Sequence, residues 1–229
     1  MVKRLFDIVF SALALIVFGP VILLAALGVK LSSRGPAFYC AQRAGVGGRP
    51  FTLFKLRTMH IDQGSNASAI TGAEDPRVFR FGSLLRKLKL DELPQLWNIL
   101  RGDMSIVGPR PEDLTIVERC YDDLGMSTLD VRPGLAGVSS IYNYTHGEKM
   151  LTGDNPEEIY AHDLLPVKLA LEAVYLKNPS LSYDIRLILR TVVTILRIAA
   201  GTRDFEDPPE MTEAMAVLQS RQPPMRAAA

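Results

Sequence analysis

The sequence has few of the residues that define several functional classes. Its two cysteines, Cys40 and Cys120, are too few for a secreted disulfide scaffold, so both are expected to be reduced thiols. The three histidines, His60, His146 and His162, lack the spacing of zinc ligands. The net charge of +1 offers no overall positive excess to attract nucleic acid, which we do not expect as a partner.

Long apolar runs, by contrast, are present. Residues Leu5 to Val29 are predominantly apolar with a single charge, Asp7, and about 20 such residues suffice to cross a bilayer. Gly19-Pro20 lies in the middle, where a proline removes a backbone hydrogen bond and kinks a helix. Since cations prefer one side of a membrane, we expect a kinked helix that enters and leaves by the same face. A straight spanning anchor is the alternative. Cations flank both ends of the run: Lys3, Arg4, Lys30 and Arg34.

A second apolar pattern is amphipathic. Ser182 to Ala200 combines an apolar face with a stripe of basic and polar side chains at helical spacing. Such a helix can lie in the headgroup layer of a membrane or pack on a protein core, and the pattern allows both. The stripe consists of Arg186, Arg190, Thr194 and Arg197.

Between these segments the pattern predicts a β-hairpin. Ala37–Arg43 and Phe51–Met59 are the predicted strands, joined by a glycine-rich turn. Lys55 and Arg57 lie two apart on the second strand and should share a face, as a solvated edge or as an anion contact. His60–Pro76 is polar and aperiodic, which predicts a loop.

The remaining chain is mainly helical in pattern, and the fold class is therefore α+β with a compact helical core. Helices are predicted around 81–90, from about Glu92, and over 114–124 and 155–176. The segment from Gly201 onward is spotted with proline and predicts a tail with one short helix. The expected organisation is a membrane helix (1–31), a catalytic domain (32–200) and a C-terminal tail (201–229).

Two adjacent acids occupy the centre of the stretch LRKLKLDELPQLWNILRGDMSIVGPRP. Because proline is tolerated in the first turn of a helix, Pro94 predicts a helix start near Asp91 or Glu92. Asp91 would then lie at or beside the N-cap, where a carboxylate suits the helix dipole. A simple capping role explains the pair by itself.

Many cations near the pair favour a second interpretation. A helix start together with several cations is an anion site, and phosphate is the usual anion. A carboxylate in such a site can hold Mg²⁺ or attack phosphorus to form an aspartyl-phosphate. The cations are Arg77, Arg80, Arg86, Lys87, Lys89, Arg101 and Arg110.

These residues carry a family resemblance. The run from DPRVFRFGS through DELPQLWNIL to GDMSIVGPRP, with FKLRTM before it and RPGLAG after it, resembles the bacterial sugar transferases, the monotopic phosphoglycosyl transferases. The likeness covers about Val2 to Ala200. It implies transfer of a sugar-1-phosphate from a UDP-sugar to polyprenol (undecaprenyl) phosphate, with release of UMP, as the first membrane step of exopolysaccharide or glycoconjugate synthesis.

The resemblance also implies roles for individual residues. Asp91 matches the nucleophile, and Glu92 matches its partner in holding Mg²⁺ and managing the acceptor. Arg86 and Arg110 match positions expected to contact phosphate. The strand cations Lys55 and Arg57 complete the candidate phosphate-binding set.

The implied location is the bacterial inner membrane, with the catalytic domain on the cytosolic face. The expected partners are a UDP-sugar, polyprenol phosphate and membrane lipid, and a homodimer is left open. A non-catalytic membrane scaffold and an aspartyl-phosphate hydrolase are the alternatives.

The chain departs from the family pattern at three places. Gly19-Pro20 replaces a common Ser-Pro, Lys89 replaces a common Ser or Thr, and VSSIYNYTHGEK follows the RPGLAG stretch where many members have Gln and Gly-Arg. The last departure leaves sugar and base preference open. Tyr142, Tyr144 and His146 in that segment could contact a donor or pack as an aromatic loop.

Overall fold

The computed structural model describes residues 2–61, 75–151 and 155–221, and the predicted α+β, mainly helical class is confirmed. Most of the loop predicted over 60–76 lies outside the described residues. The helices are α1 (Val2–Ser32), α2 (Arg80–Lys87), α3 (Gln95–Arg101), α4 (Leu114–Cys120), α5 (Asp123–Thr128), α6 (Val138–Tyr142), α7 (Glu148–Met150), α8 (Pro156–Ile159), α9 (Leu165–Lys177), α10 (Leu181–Ala199) and α11 (Met211–Arg221). The strands are β1 (Phe38–Ala44), β2 (Pro50–Leu56), β3 (Ser105–Val107) and β4 (Gly134–Ala136). Two 3₁₀ turns (Val46–Gly48, Leu90–Glu92) and two π-helical segments (Asn143–Gly147, Tyr160–Leu164) complete the description.

Helix α1 continues through Pro20 and packs on the domain at both of its ends. Near its start, the buried Asp7 accepts hydrogen bonds from Ser105 Oγ at 2.9 Å and from the Ile106 N–H at 3.0 Å. Near its end, Val29 is fully buried in a cluster that includes Leu56, Phe79 and Leu85. The apolar side chains between these ends are largely exposed. In the part of the chain that is described, α1 alone has the length and mean hydropathy (2.8) to cross a bilayer.

The predicted hairpin is confirmed. Strands β1 and β2 pair antiparallel, with Phe38 opposite Leu56 and Ala44 opposite Pro50. The turn between them contains Gly47 and Gly48, which have positive φ angles of 64° and 73° that L-residues rarely adopt. The hairpin therefore forms where the glycines permit the turn.

A second, parallel strand pair lies inside the helical core and was not predicted. Strand β3 pairs with β4, Ser105 with Gly134 and Val107 with Ala136. Around it, α9 contributes fully buried side chains such as Leu171, and α10 contributes Leu187. Truncation of either leucine to alanine would cost about 2–5 kcal/mol.

The predicted amphipathic helix is confirmed as α10. Its predicted apolar face is exposed, while Leu187 on another side of the helix packs on the core. Leu189 is 59% exposed and Leu196 is 62% exposed, whereas Thr194 in the predicted polar stripe is buried. The helix predicted in the C-terminal segment is α11, whose Ala214 is fully buried against the core. The predicted free thiols are confirmed, since Cys40 and Cys120 are both free and exposed.

Candidate active site

The acidic pair lies in a 3₁₀ turn, Leu90–Glu92, ahead of α3. The prediction that Asp91 lies at or beside the N-cap of the following helix is wrong, because α3 begins only at Gln95 and its N-cap residue is Pro94. No side-chain hydrogen bond caps that helix. Lys89, at φ 54° and ψ 22°, turns the chain into the 3₁₀ segment in the left-handed conformation. For a residue other than glycine that conformation costs about 1–2 kcal/mol.

Glu92 is buried within a shell of donors. Its Oε1 accepts hydrogen bonds from Arg110 Nη2 at 3.1 Å and from Lys55 Nζ at 3.2 Å. Its Oε2 accepts from the Tyr144 hydroxyl at 3.0 Å. Burial alone would raise the pKa of Glu92, but the charges of Lys55, Arg110 and Lys89 outweigh it and hold the pKa well below its ordinary value. Glu92 is therefore ionised at neutral pH.

Asp91 lies in a different environment, although it directly precedes Glu92. It is 8% exposed, and its Oδ1 is buried without a hydrogen-bond partner. Burial and the adjacent Glu92 charge raise its pKa to about 6, against the opposing charges of Lys55, Lys89 and Arg86. Above that pH Asp91 is ionised, and its Oδ1 accepts no hydrogen bond. Buried polar atoms without a partner are rare and call for a functional explanation.

Arg110 reaches Glu92 because a hydrogen bond to the buried Glu172 holds its backbone in place. The Arg110 N–H donates to Oε1 of the buried Glu172 at 2.9 Å, and Ser139 Oγ donates to the same oxygen at 2.5 Å. Gly108 and Gly134 let the GPRP and RPG motifs pass in close contact, since a Cβ on Gly134 would lie 2.1 Å from the Gly108 nitrogen. The glycines of both motifs are thus required for the turn that presents Arg110.

Lys55 reaches Glu92 because β2 is bonded to α3. Asn98 of α3 accepts from the Phe54 N–H at 3.1 Å and donates to the Thr52 carbonyl at 2.7 Å. Arg86, in the last turn of α2, is close enough for its charge to lower the pKa of Asp91. The structure therefore brings Lys55, Arg86 and Arg110 to the acidic pair.

Arg57 is not brought to the pair. Strand β2 ends at Leu56, so the strand alternation that placed Arg57 beside Lys55 stops there. Instead its guanidinium donates to the Ser33 carbonyl and hydroxyl, both at 2.8 Å, to the Pro36 carbonyl at 2.6 Å and to the Met59 carbonyl at 3.2 Å. Because these groups engage its donors, Arg57 binds the segment after α1 to the hairpin rather than facing the acidic pair.

Comparison with known proteins identifies the family of this chain. The family model described as bacterial sugar transferase matches residues 1–198. The chain belongs to the bacterial sugar transferase family. A UDP-glucose:undecaprenyl-phosphate glucose-1-phosphate transferase of Caulobacter vibrioides is 38% identical over 201 residues, covering 85% of this sugar transferase and 69% of the relative.

Two other relatives differ in the share of their own length that this chain covers. The exopolysaccharide production protein ExoY of Rhizobium meliloti is 36% identical over 214 residues, with 85% of each chain covered. A UDP-N-acetylgalactosamine-undecaprenyl-phosphate N-acetylgalactosaminephosphotransferase of Aeromonas hydrophila is 35% identical over 199 residues. This sugar transferase spans less than half, 44%, of the length of the Aeromonas protein.

Three residues around the acidic pair were not assigned to the site of this sugar transferase from the sequence. Tyr144 lies in the π-helical segment and donates to Glu92, so it belongs to the site rather than to a separate aromatic loop. Lys89 contacts the Tyr144 ring, and Glu172 holds Arg110 across 62 positions of sequence. The family departures at Lys89 and around Tyr144 were the available signal, whereas nothing in the sequence marked Glu172.

The donor set of the pair fits a divalent cation. Mg²⁺ is usually bound by one or two carboxylates together with substrate phosphates. Asp91 Oδ1 is the oxygen without a partner, while both oxygens of Glu92 already accept hydrogen bonds. Among the described residues, no cluster of three or more His, Cys, Asp or Glu side chains could form an all-protein metal site. The pair thus suits a metal that substrate oxygens help to hold.

Proposed function

We propose that this chain transfers a sugar-1-phosphate from a UDP-sugar to undecaprenyl phosphate through a covalent intermediate on Asp91. The observation that carries the proposal is the contrast within the pair. Glu92 is neutralised by Lys55 and Arg110, whereas Asp91 has a buried oxygen with no partner. The relatives named above support the donor and acceptor classes, because their names specify UDP-sugars and undecaprenyl phosphate.

The proposed reaction has two displacement steps. In the first, an Asp91 carboxylate oxygen bonds to the sugar-bearing β-phosphorus, and the bond from that phosphorus to the bridging oxygen breaks. UMP leaves with the bridging oxygen. In the second, a phosphate oxygen of undecaprenyl phosphate bonds to the same phosphorus and displaces Asp91. The products are undecaprenyl diphospho-sugar and the regenerated carboxylate.

The surrounding residues bind and orient in this scheme. Arg110, Lys55 and Arg86 form the proposed positive wall for the diphosphate, while Glu92 holds the first two in place. Asp91, aided by Glu92, would hold Mg²⁺, which would neutralise phosphoryl charge when bound. Arg57 is proposed to have a structural role and not to contact phosphate.

Membrane attachment is part of the proposal. Arg4 donates to the carbonyls of Ile99 and Leu100 at one end of α1, and Val29 packs on the domain at the other. Two ends that contact one domain support a helix that dips into one leaflet and returns. The exposed apolar face of α10 supports an interfacial position for that helix. Asp91 would then act on the cytosolic face of the bacterial inner membrane.

Product analysis tests the function. Purified protein in detergent is incubated with undecaprenyl phosphate and a panel of UDP-sugars, with and without Mg²⁺, and the nucleotide product is identified. Release of UMP over multiple turnovers, only when undecaprenyl phosphate is present, supports the proposal. UDP would indicate glycosyl transfer and contradict it. Free sugar phosphate formed without lipid would indicate the hydrolase instead, and absence of any nucleotide product would favour the non-catalytic scaffold.

A further inference from the structure

Lys89 has an unusual backbone and a side chain that reaches another segment. It is the one non-glycine residue with positive φ in the described ranges, and it immediately precedes the turn with the acids. Left-handed residues of this kind concentrate at functional sites, where the surrounding contacts maintain them. The position therefore suggests more than a connection between α2 and the turn.

The ammonium group of Lys89 has two partners beyond its own turn. Its Nζ lies 3.8 Å from the centroid of the Tyr144 ring and 2.7 Å from Oε1 of Glu148. The Lys89 side chain is 14% exposed, whereas that of Glu148 is 44% exposed. An acid that remains nearly half hydrated forms a weak ion pair, and an incoming anion can replace it.

Tyr144 places this ammonium beside the acidic pair. The Tyr144 hydroxyl donates to Glu92 and accepts from Arg110 Nη1 at 3.3 Å, while its ring contacts the Lys89 ammonium. One aromatic ring thus contacts Lys89 and connects it to Arg110 and Glu92. The Lys89 charge also contributes to lowering the pKa of both carboxylates.

Two of the three cations in the proposed positive wall, Arg110 and Lys55, are already engaged by a carboxylate. Both cations are bonded to Glu92, which neutralises part of their charge. Lys89 is a further cation near the pair, and its counter-ion, Glu148, faces solvent. Its ammonium would be free to contact a phosphate once Glu148 is displaced.

The geometry points to Lys89 as a further donor-binding residue, held by Glu148 until the diphosphate of the nucleotide sugar takes the place of that carboxylate. This inference rests on the proposed function, since it assumes a nucleoside diphosphate donor. Glu148 competes with the donor for the ammonium, and Tyr144 keeps Lys89 within reach of the site. Charge removal at the two ends of the ion pair should therefore change donor affinity in opposite directions.

Binding of UDP to the full-length protein, measured by isothermal titration calorimetry in detergent, tests the inference. Lys89→Asn removes the charge while keeping a residue that tolerates the left-handed conformation. It should weaken binding about tenfold, the loss of one charged contact. Glu148→Gln should tighten binding about threefold because it removes the competitor.

The matched controls come from a second Lys–Glu pair with the same 2.7 Å separation. Lys177 of α9 and Glu213 of α11 are both about half exposed, and neither belongs to the site. Lys177→Gln and Glu213→Gln should leave the Kd for UDP unchanged.

Two results would overturn the inference in distinguishable ways. If the wild type binds UDP and neither Lys89→Asn nor Glu148→Gln alters the Kd, the ion pair is only a structural clamp and the proposed function stands. If the wild type does not bind UDP, the proposed donor class is wrong and the inference fails with it. Glu148→Gln keeps the test decisive if Lys89→Asn does not fold.

Discussion

Glu92 Oε1 lies 3.1 Å from Arg110 Nη2, while the Oδ1 atom of the preceding residue, Asp91, has no hydrogen-bond partner. The two carboxylates share a turn and similar burial, yet one is surrounded by donors and the other is not. The pKa of Glu92 is accordingly held well below its ordinary value, and burial raises the pKa of Asp91 to about 6. Two adjacent acids with separated pKa values can have different roles.

Replacement of Asp91 by asparagine should stabilise the metal-free protein above about pH 6. The folded-state pKa exceeds the unfolded value, so Asp91 favours folding at acid pH and opposes it once ionised. The Asp91→Asn gain in unfolding free energy should reach about 1–3 kcal/mol near pH 7.5 and about half of that near pH 5. Urea denaturation in EDTA at the two pH values measures it. A loss of stability at neutral pH would contradict the prediction, because it would mean that the ionised carboxylate is stabilised in the folded protein.

Tyr144→Phe should lower kcat/KM about five- to tenfold while leaving the fold intact. The variant removes the hydroxyl that donates to Glu92 but keeps the ring that contacts Lys89. The matched control is Tyr142→Phe, because the Tyr142 ring stacks on His146 instead. Steady-state UMP release measures both. Equal effects of the two variants would show that Tyr144 acts only through packing.

Removing the charge of Arg57 should change stability, whereas removing the charge of Arg86 should change KM for the donor. Arg57→Gln should lower the unfolding free energy by about 1–3 kcal/mol, because three carbonyls lose partly buried hydrogen bonds, with little change in KM for the donor. Arg86→Gln should raise that KM about tenfold with a small change in stability. Thermal denaturation and donor titration separate the two effects. A raised KM for Arg57→Gln at unchanged stability would return Arg57 to the phosphate-binding set.

The two ends of α1 should lie on the same side of the membrane. Val2 is 70% exposed and Leu31 is 81% exposed, so single cysteines there are accessible in a background with Cys40→Ser and Cys120→Ser. A membrane-impermeant maleimide should label neither Val2→Cys nor Leu31→Cys in intact spheroplasts, and both in inside-out vesicles. Labelling of just one of the two in spheroplasts would establish a spanning helix.

Local patterns in the sequence predicted the elements that local chemistry determines. The hairpin follows from glycines that permit its turn, and α10 follows from its helical spacing. Pro94 correctly marked the start of a helix but not the 3₁₀ turn before it, so Asp91 was wrongly assigned to the N-cap region. The turn depends on the left-handed backbone of Lys89, a conformation that tertiary contacts maintain and that lysine does not favour.

The sequence pattern could not predict the tertiary contacts of the site. Strands β3 and β4 have three residues each, too few for a period of two to be recognised. The bond between Glu172 and the Arg110 N–H joins two residues that only the folded core brings together. Asp7 looked like an interruption of an apolar helix, whereas it binds the end of α1 to Ser105.

The central claim is a covalent bond between Asp91 and the sugar-bearing phosphorus. The most direct measurement is intact-protein mass spectrometry of the enzyme incubated with a UDP-sugar and without lipid acceptor. The account predicts a mass increase equal to one sugar-phosphoryl group, located at Asp91 by peptide mapping, absent from Asp91→Asn and lost when undecaprenyl phosphate is added. Turnover to UMP by Asp91→Asn at the wild-type rate, or an adduct on a different residue, would contradict it.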